Sequence, residues 1–353
     1  AGYIGSHMAL LLLDQGRFNV TIVDNLSRSF EITAKRLLAY AQSVGKGDML
    51  HWKNIELWET DAVERTLKEG AVDLVLHFAG NAYVPESVAF PQLYHDNITV
   101  TTSHLVDAML SARVPYLVYS SSCATYGNVE KLPITEESPQ KPISPYGQAK
   151  LDAEKVIIKA TQEHAGAFSA VALRYFNVVG VDAKKRVGPV LNKPAHKKYP
   201  RILDAIFDVV EGLRPVIEIA GDKFPTRDGT AIRDYVHVSD LVAAHLAAFQ
   251  SFEKSAFQAF NIGTGTGFTV REVLDVVEKV TGTKVKSAVS AVRPGDAALL
   301  VASADRLHAL TGWAAKYTSV ADMVRTQWEW RQHLKGLEAT GKRRRRRRRR
   351  LEA

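Results

Sequence analysis

The chain has 353 residues, of which 46% are hydrophobic and 24% are charged, a composition typical of a globular protein with a sizeable core. Its net charge of +8 comes from the C-terminal run 342–350, because removing those nine positive charges leaves the rest of the chain at −1. A folded part that is close to neutral argues against a broad nucleic-acid surface. The single cysteine, Cys123, excludes an internal disulfide, and no Cys/His cluster has the spacing of metal ligands.

The sequence also gives no sign of membrane insertion. No apolar stretch is long enough to cross a bilayer, and no charged leader followed by an apolar run opens the chain. Together with the lone cysteine, this predicts a cytoplasmic protein. The chain opens at Ala1, inside a predicted phosphate-binding turn, so a leader or anchor upstream would not be visible in this sequence.

Helices and short apolar strands alternate over the first part of the chain. Residues Gly5 to Gly16 predict a buried helix closed by glycine, and Val20–Asp24 predicts the strand that follows it. Further strands are predicted at Ile55–Trp58, Asp73–Phe78, Pro115–Ser120 and Ser169–Arg174. This alternation predicts an α/β fold of the Rossmann type, a doubly wound parallel sheet whose ligands lie at the carboxyl ends of its strands.

The pattern changes after Phe176. Residues 182–200 are rich in Pro, Lys and Gly, a helix is predicted near Ile202–Glu211, and strand-like sequence returns at Asn261. We interpret the chain as an NAD-binding Rossmann domain (1–179 and 232–263), a smaller α/β substrate lobe (180–231 and 264–337) and a disordered basic tail (338–353). Disorder is expected in the tail because adjacent guanidinium groups repel one another and bury nothing.

A glycine turn leads directly into the first helix. The segment Gly2-Tyr-Ile-Gly5 favours a pyrophosphate, whose charge would meet backbone N–H groups and the positive helix end. Alone this is weak evidence, because such turns are common before helices. Asp24, at the end of the next strand, is placed to accept hydrogen bonds from the ribose hydroxyl groups of a dinucleotide. Its charge would repel a 2′-phosphate, which favours NAD over NADP. The alternative is that Asp24 caps the Asn25–Ser27 turn.

Tyr146 and Lys150 are four residues apart at the start of a predicted helix that runs to about Glu163. This spacing places both side chains on one helical face. An ammonium group beside a phenol lowers the pKa of the phenol, which would make Tyr146 a general base. Ser122, at the end of a strand, would supply a hydroxyl group to the same site during hydride transfer. Taken singly, these residues are also compatible with a solvated helix surface and a polar turn.

Several segments together resemble the UDP-glucose 4-epimerase family of extended short-chain dehydrogenases/reductases, especially plant-type UDP-glucose and UDP-xylose/arabinose 4-epimerases. Besides the glycine turn, they are Val23–Ser27, His77–Gly80, Tyr119–Gly127, Pro145–Lys150, Arg174–Asn177, Asp228–His237 and Arg293–Asp296. The resemblance extends from Ala1 to about Leu334. It implies NAD-dependent 4-epimerisation of a UDP-sugar, in which Tyr146 takes the proton of the 4-hydroxyl group, a 4-keto sugar turns over, and hydride returns to its opposite face.

The resemblance also implies roles for the matching residues. Ser122 would contact the 4-hydroxyl group, and Lys150 would tune Tyr146 and bind the nicotinamide ribose. The implied cofactor contacts are Gly2, Tyr3, Ile4, Gly5, Asp24, Asn25, Asp61, Ala62, Phe78, Ala79, Gly80, Tyr146, Lys150 and Tyr175. The implied UDP-sugar contacts are Asn97, Ser122, Asn177, Arg233, Arg293 and Asp296. For the two arginines, the alternative is a surface salt bridge.

The chain departs from the family pattern in three places. The first glycine of the fingerprint and the whole first strand would lie before Ala1, so the central strand is missing from this sequence. Ala82 and Ala220 stand where bacterial epimerases carry a lysine near the phosphates and an aromatic residue near the uracil. Leu300 occupies the position that gates room for an N-acetyl group, which predicts poor turnover of N-acetylated sugars.

The residues are also compatible with other functions. Nucleotide-sugar 4,6-dehydratases carry acidic residues directly after the strand-end hydroxyl, where this chain has Cys123 and Ala124, and this difference favours epimerisation. A UDP-uronate decarboxylase or reductase is a further alternative. So is a non-catalytic nucleotide- or RNA-binding protein that uses the Arg343–Arg350 run. The resemblance implies a homodimer through helices near 95–111 and 146–163, whereas the sugar pair, glucose/galactose or xylose/arabinose, stays open.

Overall fold

The computed structural model describes residues 1–190, 196, 198–252 and 256–351, with backbone alone for 338–351. The strands are β1 Val20–Val23, β2 Leu50–Lys53, β3 Leu74–His77, β4 Tyr116–Ser122, β5 Ser169–Tyr175, β6 Asn177–Val179, β7 Ile217–Ala220, β8 Ile232–His237, β9 Phe257–Ile262, β10 Gly267–Thr269, β11 Ser287–Ser290 and β12 Leu299–Leu300. The helices are α1 Tyr3–Gln15, α2 Glu31–Ser43, α3 Thr60–Glu69, α4 Val84–Ala89, α5 Pro91–Tyr94, α6 Thr101–Ser111, α7 Pro145–Glu163, α8 Ile202–Val210, α9 Val238–Ala248, α10 Val270–Thr281, α11 Asp305–Thr311 and α12 Val320–Leu351.

A four-stranded parallel sheet forms the centre of the larger lobe, with the strand order β3-β4-β5-β9. Successive residues of β4 face opposite sides of it, so that Leu117 and Tyr119 join one hydrophobic cluster and Val118 joins another. Because helices cover both faces, the strands are nearly continuous apolar runs, as is usual for buried parallel sheets. The predicted α/β fold with a parallel sheet is confirmed.

One predicted strand was wrong. The partner of β1 is Leu50–Lys53, with Val20 opposite Leu50, and residues 55–58 form a turn before α3. Ile55 and Leu57 pack against the core from this turn. Two apolar side chains that anchor a loop to the core thus give the same alternating pattern as a strand, and the sequence pattern does not distinguish the two cases.

Strands β1 and β2 form a separate two-stranded parallel sheet. Among the described residues, β1 pairs only with β2, and β3 pairs with β4 on one edge. No described strand joins the two sheets. Helix α1 packs between two other helices: Leu10 and Leu13 pack with α2, and Met8 packs with α9.

The smaller lobe contains a second sheet, in which β8 pairs with β6, β10 and β12, and a parallel pair of β7 and β11. Its core joins α8, α10 and α12 through Phe207, Val277 and Val324. Strand β8 begins at the predicted boundary at 232. It pairs with β6 of the predicted Rossmann domain and with β10 and β12 of the predicted smaller lobe, and its Val236 packs with Val118 and Val171 of the central sheet. The division into two domains at these bounds stays a proposal.

The last helix continues through the backbone of the basic run to Leu351, where the sequence predicted a disordered tail from 338. Arginine is a good helix former, and the packed part of α12 nucleates the helix, so extension costs little backbone ordering. The side chains of 338–351 and residues 352–353 lie outside the described part of the chain.

The described residues contain neither a membrane-spanning helix nor a metal-binding cluster. None of their helices combines the length and apolar character needed to cross a membrane. Nor do His, Cys, Asp and Glu side chains gather anywhere in that part of the chain in a group that could hold a metal ion.

Candidate active site

A cavity of about 1480 Å³ is lined by residues of both lobes. It runs along β1 and β3 from Asn19 and Asp73 at their amino ends, and it includes the carboxyl ends of the parallel strands. Eighteen of the predicted site residues line it: Gly2, Tyr3, Ile4, Gly5, Asp24, Asn25, Phe78, Ala79, Gly80, Asn97, Ser122, Tyr146, Lys150, Tyr175, Asn177, Arg233, Arg293 and Asp296. Asp61 and Ala62 do not line it. They lie in the first turn of α3, where Asp61 is exposed, because residues 55–58 form a turn and not the expected strand.

Ser122 is the last residue of β4, and its Cα is directly opposite that of Tyr175 on β5. Its side chain caps the short 3₁₀ turn Cys123–Thr125 by accepting a hydrogen bond from the Ala124 N–H at 3.2 Å. This contact fixes the hydroxyl group at the end of the strand. Burial raises the pKa of the neighbouring Cys123 thiol to about 12, so that this thiol is a poor nucleophile.

Tyr146 and Lys150 both project from the first turns of α7 and are buried. Ser144 caps this helix by accepting a hydrogen bond from the Gly147 N–H at 3.1 Å, and Pro145 occupies its first position. The Tyr146 ring packs edge-on against Tyr94, with centroids 6.2 Å apart. The helix therefore begins at a fixed place beside the end of β4.

The electrostatics of this pair differ from the expectation. Burial raises the pKa of Tyr146, with a smaller opposing effect from its hydrogen bond with Ser122. Burial also lowers the pKa of Lys150 to about 7, and its Nζ donates to the Ser120 carbonyl oxygen at 2.7 Å. In the protein alone, loss of solvation therefore outweighs the stabilisation of the phenolate that the spacing predicted.

Gly147 sits at a close approach between the 3₁₀ turn and α7. A Cβ atom at this position would lie 2.3 Å from the Ala124 carbonyl oxygen, which is backbone and cannot rotate away. The glycine therefore allows the turn after Ser122 to touch the helix that carries Tyr146. The sequence contained it within the Pro145–Lys150 segment, but its spacing gave no sign of this contact.

A buried polar network behind the site escaped the sequence analysis. Glu154, one turn after Lys150, forms an ion pair with Arg174 of β5 at 2.6 Å and accepts a hydrogen bond from Ser121 of β4. Arg174 also donates to the Tyr126 hydroxyl oxygen at 3.1 Å. The only signal in the sequence was two charged residues within otherwise apolar elements, which had no partner assigned to them.

The cofactor half of the cavity begins at the glycine turn and Asp24. A Cβ atom on Gly2 would meet no atom within 4 Å, so protein packing does not explain why this residue is glycine. Helix α1 has no acidic residue in its first turn, which leaves its positive end free for an anion. Asp24 accepts hydrogen bonds from the Ser29 hydroxyl group at 2.6 Å and the Leu26 N–H at 2.7 Å, and both lower its pKa against the effect of burial. These features fit a dinucleotide with its pyrophosphate at the turn and a ribose at the carboxylate.

The matching family is the NAD dependent epimerase/dehydratase family, which covers residues 1–263. The chain belongs to this family. It is 40% identical over 337 residues to a protein named probable UDP-arabinose 4-epimerase 1 of Oryza sativa subsp. japonica, covering 95% of this chain and 79% of that protein. It is 36% identical to the UDP-glucose 4-epimerase of Halalkalibacterium halodurans, covering 97% of both chains.

A solved structure agrees with this assignment. The UDP-glucose 4-epimerase of Stenotrophomonas maltophila, with bound NAD and formylated UDP-arabinopyranose, superimposes with a TM-score of 0.87 at 32% identity, covering 96% of this chain and 97% of that one. The resemblance to UDP-glucose 4-epimerases is thereby confirmed, together with the fold.

In this chain, the substrate half of the cavity contains the predicted polar residues. Asn97 lies in a π-helical turn, His95–Val100, and its Oδ1 accepts a hydrogen bond from the Asn81 N–H at 2.7 Å. Arg233 donates to the neighbouring Ile232 carbonyl oxygen at 2.9 Å. Arg293 is exposed and pairs with Asp296 at 2.9 Å, which matches the salt-bridge alternative as far as the protein alone is concerned.

We predict that Gly147→Ala lowers kcat about tenfold to a hundredfold, because the new methyl group pushes α7 away from the Ala124 carbonyl and moves Tyr146 away from Ser122. The measurement is steady-state epimerase kinetics. Gly336→Ala is the matched control, since it makes the same change in α12 where a Cβ atom meets nothing within 4 Å. Equal kcat values for wild type and Gly147→Ala would contradict this assignment.

We predict that stability depends on pH through Lys150. Its pKa falls to about 7 on folding, so between that pH and the pKa of the unfolded chain the unfolded state binds more protons. The free energy of unfolding therefore rises with pH in this window, by up to about 1.4 kcal/mol per pH unit from this group. Urea denaturation from pH 7 to pH 9 should show a steeper rise for the wild type than for Lys150→Met, and identical slopes would refute the prediction.

Proposed function

We propose that this chain is an NAD-dependent UDP-sugar 4-epimerase, with UDP-glucose/UDP-galactose or UDP-xylose/UDP-arabinose as its substrate pair. The observation that carries the proposal is the convergence of Ser122, Tyr146 and Lys150 at the end of β4, in a cavity that also contains the glycine turn and Asp24. Its relatives include proteins named for arabinose and for glucose, which supports both pairs.

The chain's own residues account for the proton transfer. We assign Ser122 to the 4-hydroxyl group of the sugar, with Tyr146 taking the proton from that oxygen and returning it after the sugar has turned over. Bound NAD supplies the hydride acceptor and donor for C4, and a positive charge on the nicotinamide ring. Since burial disfavours the phenolate, the positive charge of Lys150 must act beside Tyr146 when the proton is transferred.

The remaining lining residues position the two nucleotides in this proposal. Gly2, Tyr3, Ile4 and Gly5 contact the pyrophosphate of NAD through the start of α1, and Asp24 and Asn25 contact its adenosine ribose. Phe78, Ala79, Gly80 and Tyr175 line the channel towards the nicotinamide. Asn97, Asn177, Arg233, Arg293 and Asp296 hold the uridine diphosphate. For Arg293, this requires the Asp296 ion pair to open or to be shared.

We predict that the purified chain, loaded with NAD, interconverts one of these sugar pairs. Incubation with UDP-glucose, UDP-galactose, UDP-xylose and UDP-arabinose in turn, followed by chromatography of the products, gives the 4-epimers directly. Tyr146→Phe should reduce the rate at least about a hundredfold, because the proton acceptor is lost. Elimination products, or no product from any of the four, would refute epimerisation.

We also propose a homodimer through the helices near 95–111 and 146–163. The adjoining segment 88–94 exposes Phe90 and Leu93, at 51% and 43% of their surface, next to α7. Large exposed apolar side chains close together are typical of protein interfaces.

We predict that light scattering after size-exclusion chromatography gives about twice the 39.0 kDa mass of the chain. Leu93→Asp should shift the protein to the monomer, because it places a charge in the apolar contact. Leu213→Asp is the control, since Leu213 is 72% exposed on the smaller lobe. A wild-type monomer at micromolar concentration would refute the dimer.

A further inference from the structure

Arg201 is a cation on the wall of the cavity to which the sequence analysis gave no role. It lies immediately before α8 and lines the cavity together with the glycine turn. A small side pocket brings Arg201 and Gly2 together with Ser29 and Tyr83. Arg201 therefore reaches from the smaller lobe towards the turn that begins α1.

The guanidinium group has an aromatic neighbour but no carboxylate partner. Its Cζ lies 4.5 Å from the centroid of the Tyr3 ring, the second residue of the glycine turn. Within the described ranges, no Asp or Glu forms an ion pair with it. Asp204, in the first turn of α8, interacts electrostatically with Arg201 but accepts its hydrogen bond from Gln327, at 2.9 Å. A half-buried arginine that forms no ion pair keeps its planar set of donors available to a ligand.

The surroundings of Arg201 favour an anion. Burial raises the pKa values of Tyr3, Tyr83 and Tyr175, and the charge of Arg201 opposes that rise in all three, so its field reaches across this part of the cavity. The start of α1 adds the partial positive charge of a helix N-terminus, with no acidic residue in its first turn. The open space beside Gly2 lies between these two positive groups.

We propose that Arg201 binds phosphate oxygens of the dinucleotide pyrophosphate held at the Gly2–Gly5 turn. The proposal rests on the proposed NAD-dependent function and adds a contact from the smaller lobe. The UDP-sugar also carries a pyrophosphate, but Arg201 stacks on the glycine turn itself, which favours the cofactor. Paired N–H donors suit two phosphate oxygens, a geometry that lysine cannot reproduce.

This contact would make the cofactor a link between the two lobes. The larger lobe supplies the N-terminus of α1, and the smaller lobe supplies Arg201 at the start of α8. Binding of NAD should then hold α8 against the glycine turn and thereby order the wall of the substrate half of the cavity.

The test compares Arg201→Met and Arg201→Lys with the wild type, using two separate probes. Isothermal titration with NAD should show a loss of affinity of about tenfold to a hundredfold for Arg201→Met and a smaller loss for Arg201→Lys, as expected when a charge-assisted contact is removed. Titration with UDP should change less than about twofold. Arg227→Met is the matched control, because Arg227 is paired with Glu272 on the exposed surface.

Each other outcome has a defined meaning. Unchanged NAD affinity in Arg201→Met, or a wild type that binds no NAD, overturns the proposal. A loss confined to UDP also overturns it and assigns Arg201 to the substrate. Circular dichroism and thermal melting separate a binding defect from misfolding, and Arg201→Lys, which keeps the charge, gives the same comparison if Arg201→Met does not fold. NAD binding that depends on Arg201 in a protein with no 4-epimerase activity would refute the proposed function and leave this inference standing.

Discussion

The buried ion pair between Glu154 and Arg174 is the interaction on which the geometry of the candidate active site depends. Glu154 belongs to α7, Arg174 belongs to β5, and Ser121 of β4 donates to the same carboxylate. Two of these elements carry proposed catalytic groups, since Lys150 is one turn before Glu154 and Ser122 follows Ser121, and β5 carries the lining residue Tyr175 next to Arg174. Removing one partner would strand a buried charge, which typically costs about 3–5 kcal/mol. The pair therefore fixes the position of α7 relative to the two strands.

The same network connects the site to a further strand of the central sheet. Tyr126 donates to the Asn261 side chain at 2.7 Å and accepts from Arg174, so the network extends to β9. Every strand of the central sheet except β3 thus contributes a polar group to it. Burial then acts on Tyr146 and Lys150 in opposite directions, raising one pKa and lowering the other. A bound cation such as the oxidised nicotinamide would change this balance in favour of the phenolate.

The sequence predicted the elements that have a strong local pattern. Helix α1 with its glycine stop, the apolar strands β3 to β5 and the helix from Tyr146 to Glu163 were all identified, because their periodicity and caps are local. The turn at 55–58 was misread, since two anchored apolar residues imitate a strand. Contacts between residues far apart in the sequence were not predictable. No pattern around Gly147 indicates its close approach to the Ala124 carbonyl oxygen, and none around Glu154 indicates its ion pair with Arg174. The resemblance to a family named eighteen residues that line the cavity, whereas the roles of Asp61 and Ala62, which lie in the first turn of α3 outside its lining, stay predictions.

Helix α1 connects the cofactor half of the cavity with two hydrophobic clusters. On one side of α1, Leu10 and Leu13 pack with Leu37 of α2, and on the other, Met8 and Leu12 pack with Val242 of α9. The first turn of this helix is also the proposed phosphate site. The placement of the cofactor therefore depends on hydrophobic packing of α1, which is not directional. A ligand that binds at this turn and contacts both lobes would add the directional contacts that the packing lacks. Because such a ligand binds only the folded chain, its affinity contributes directly to the stability of the protein.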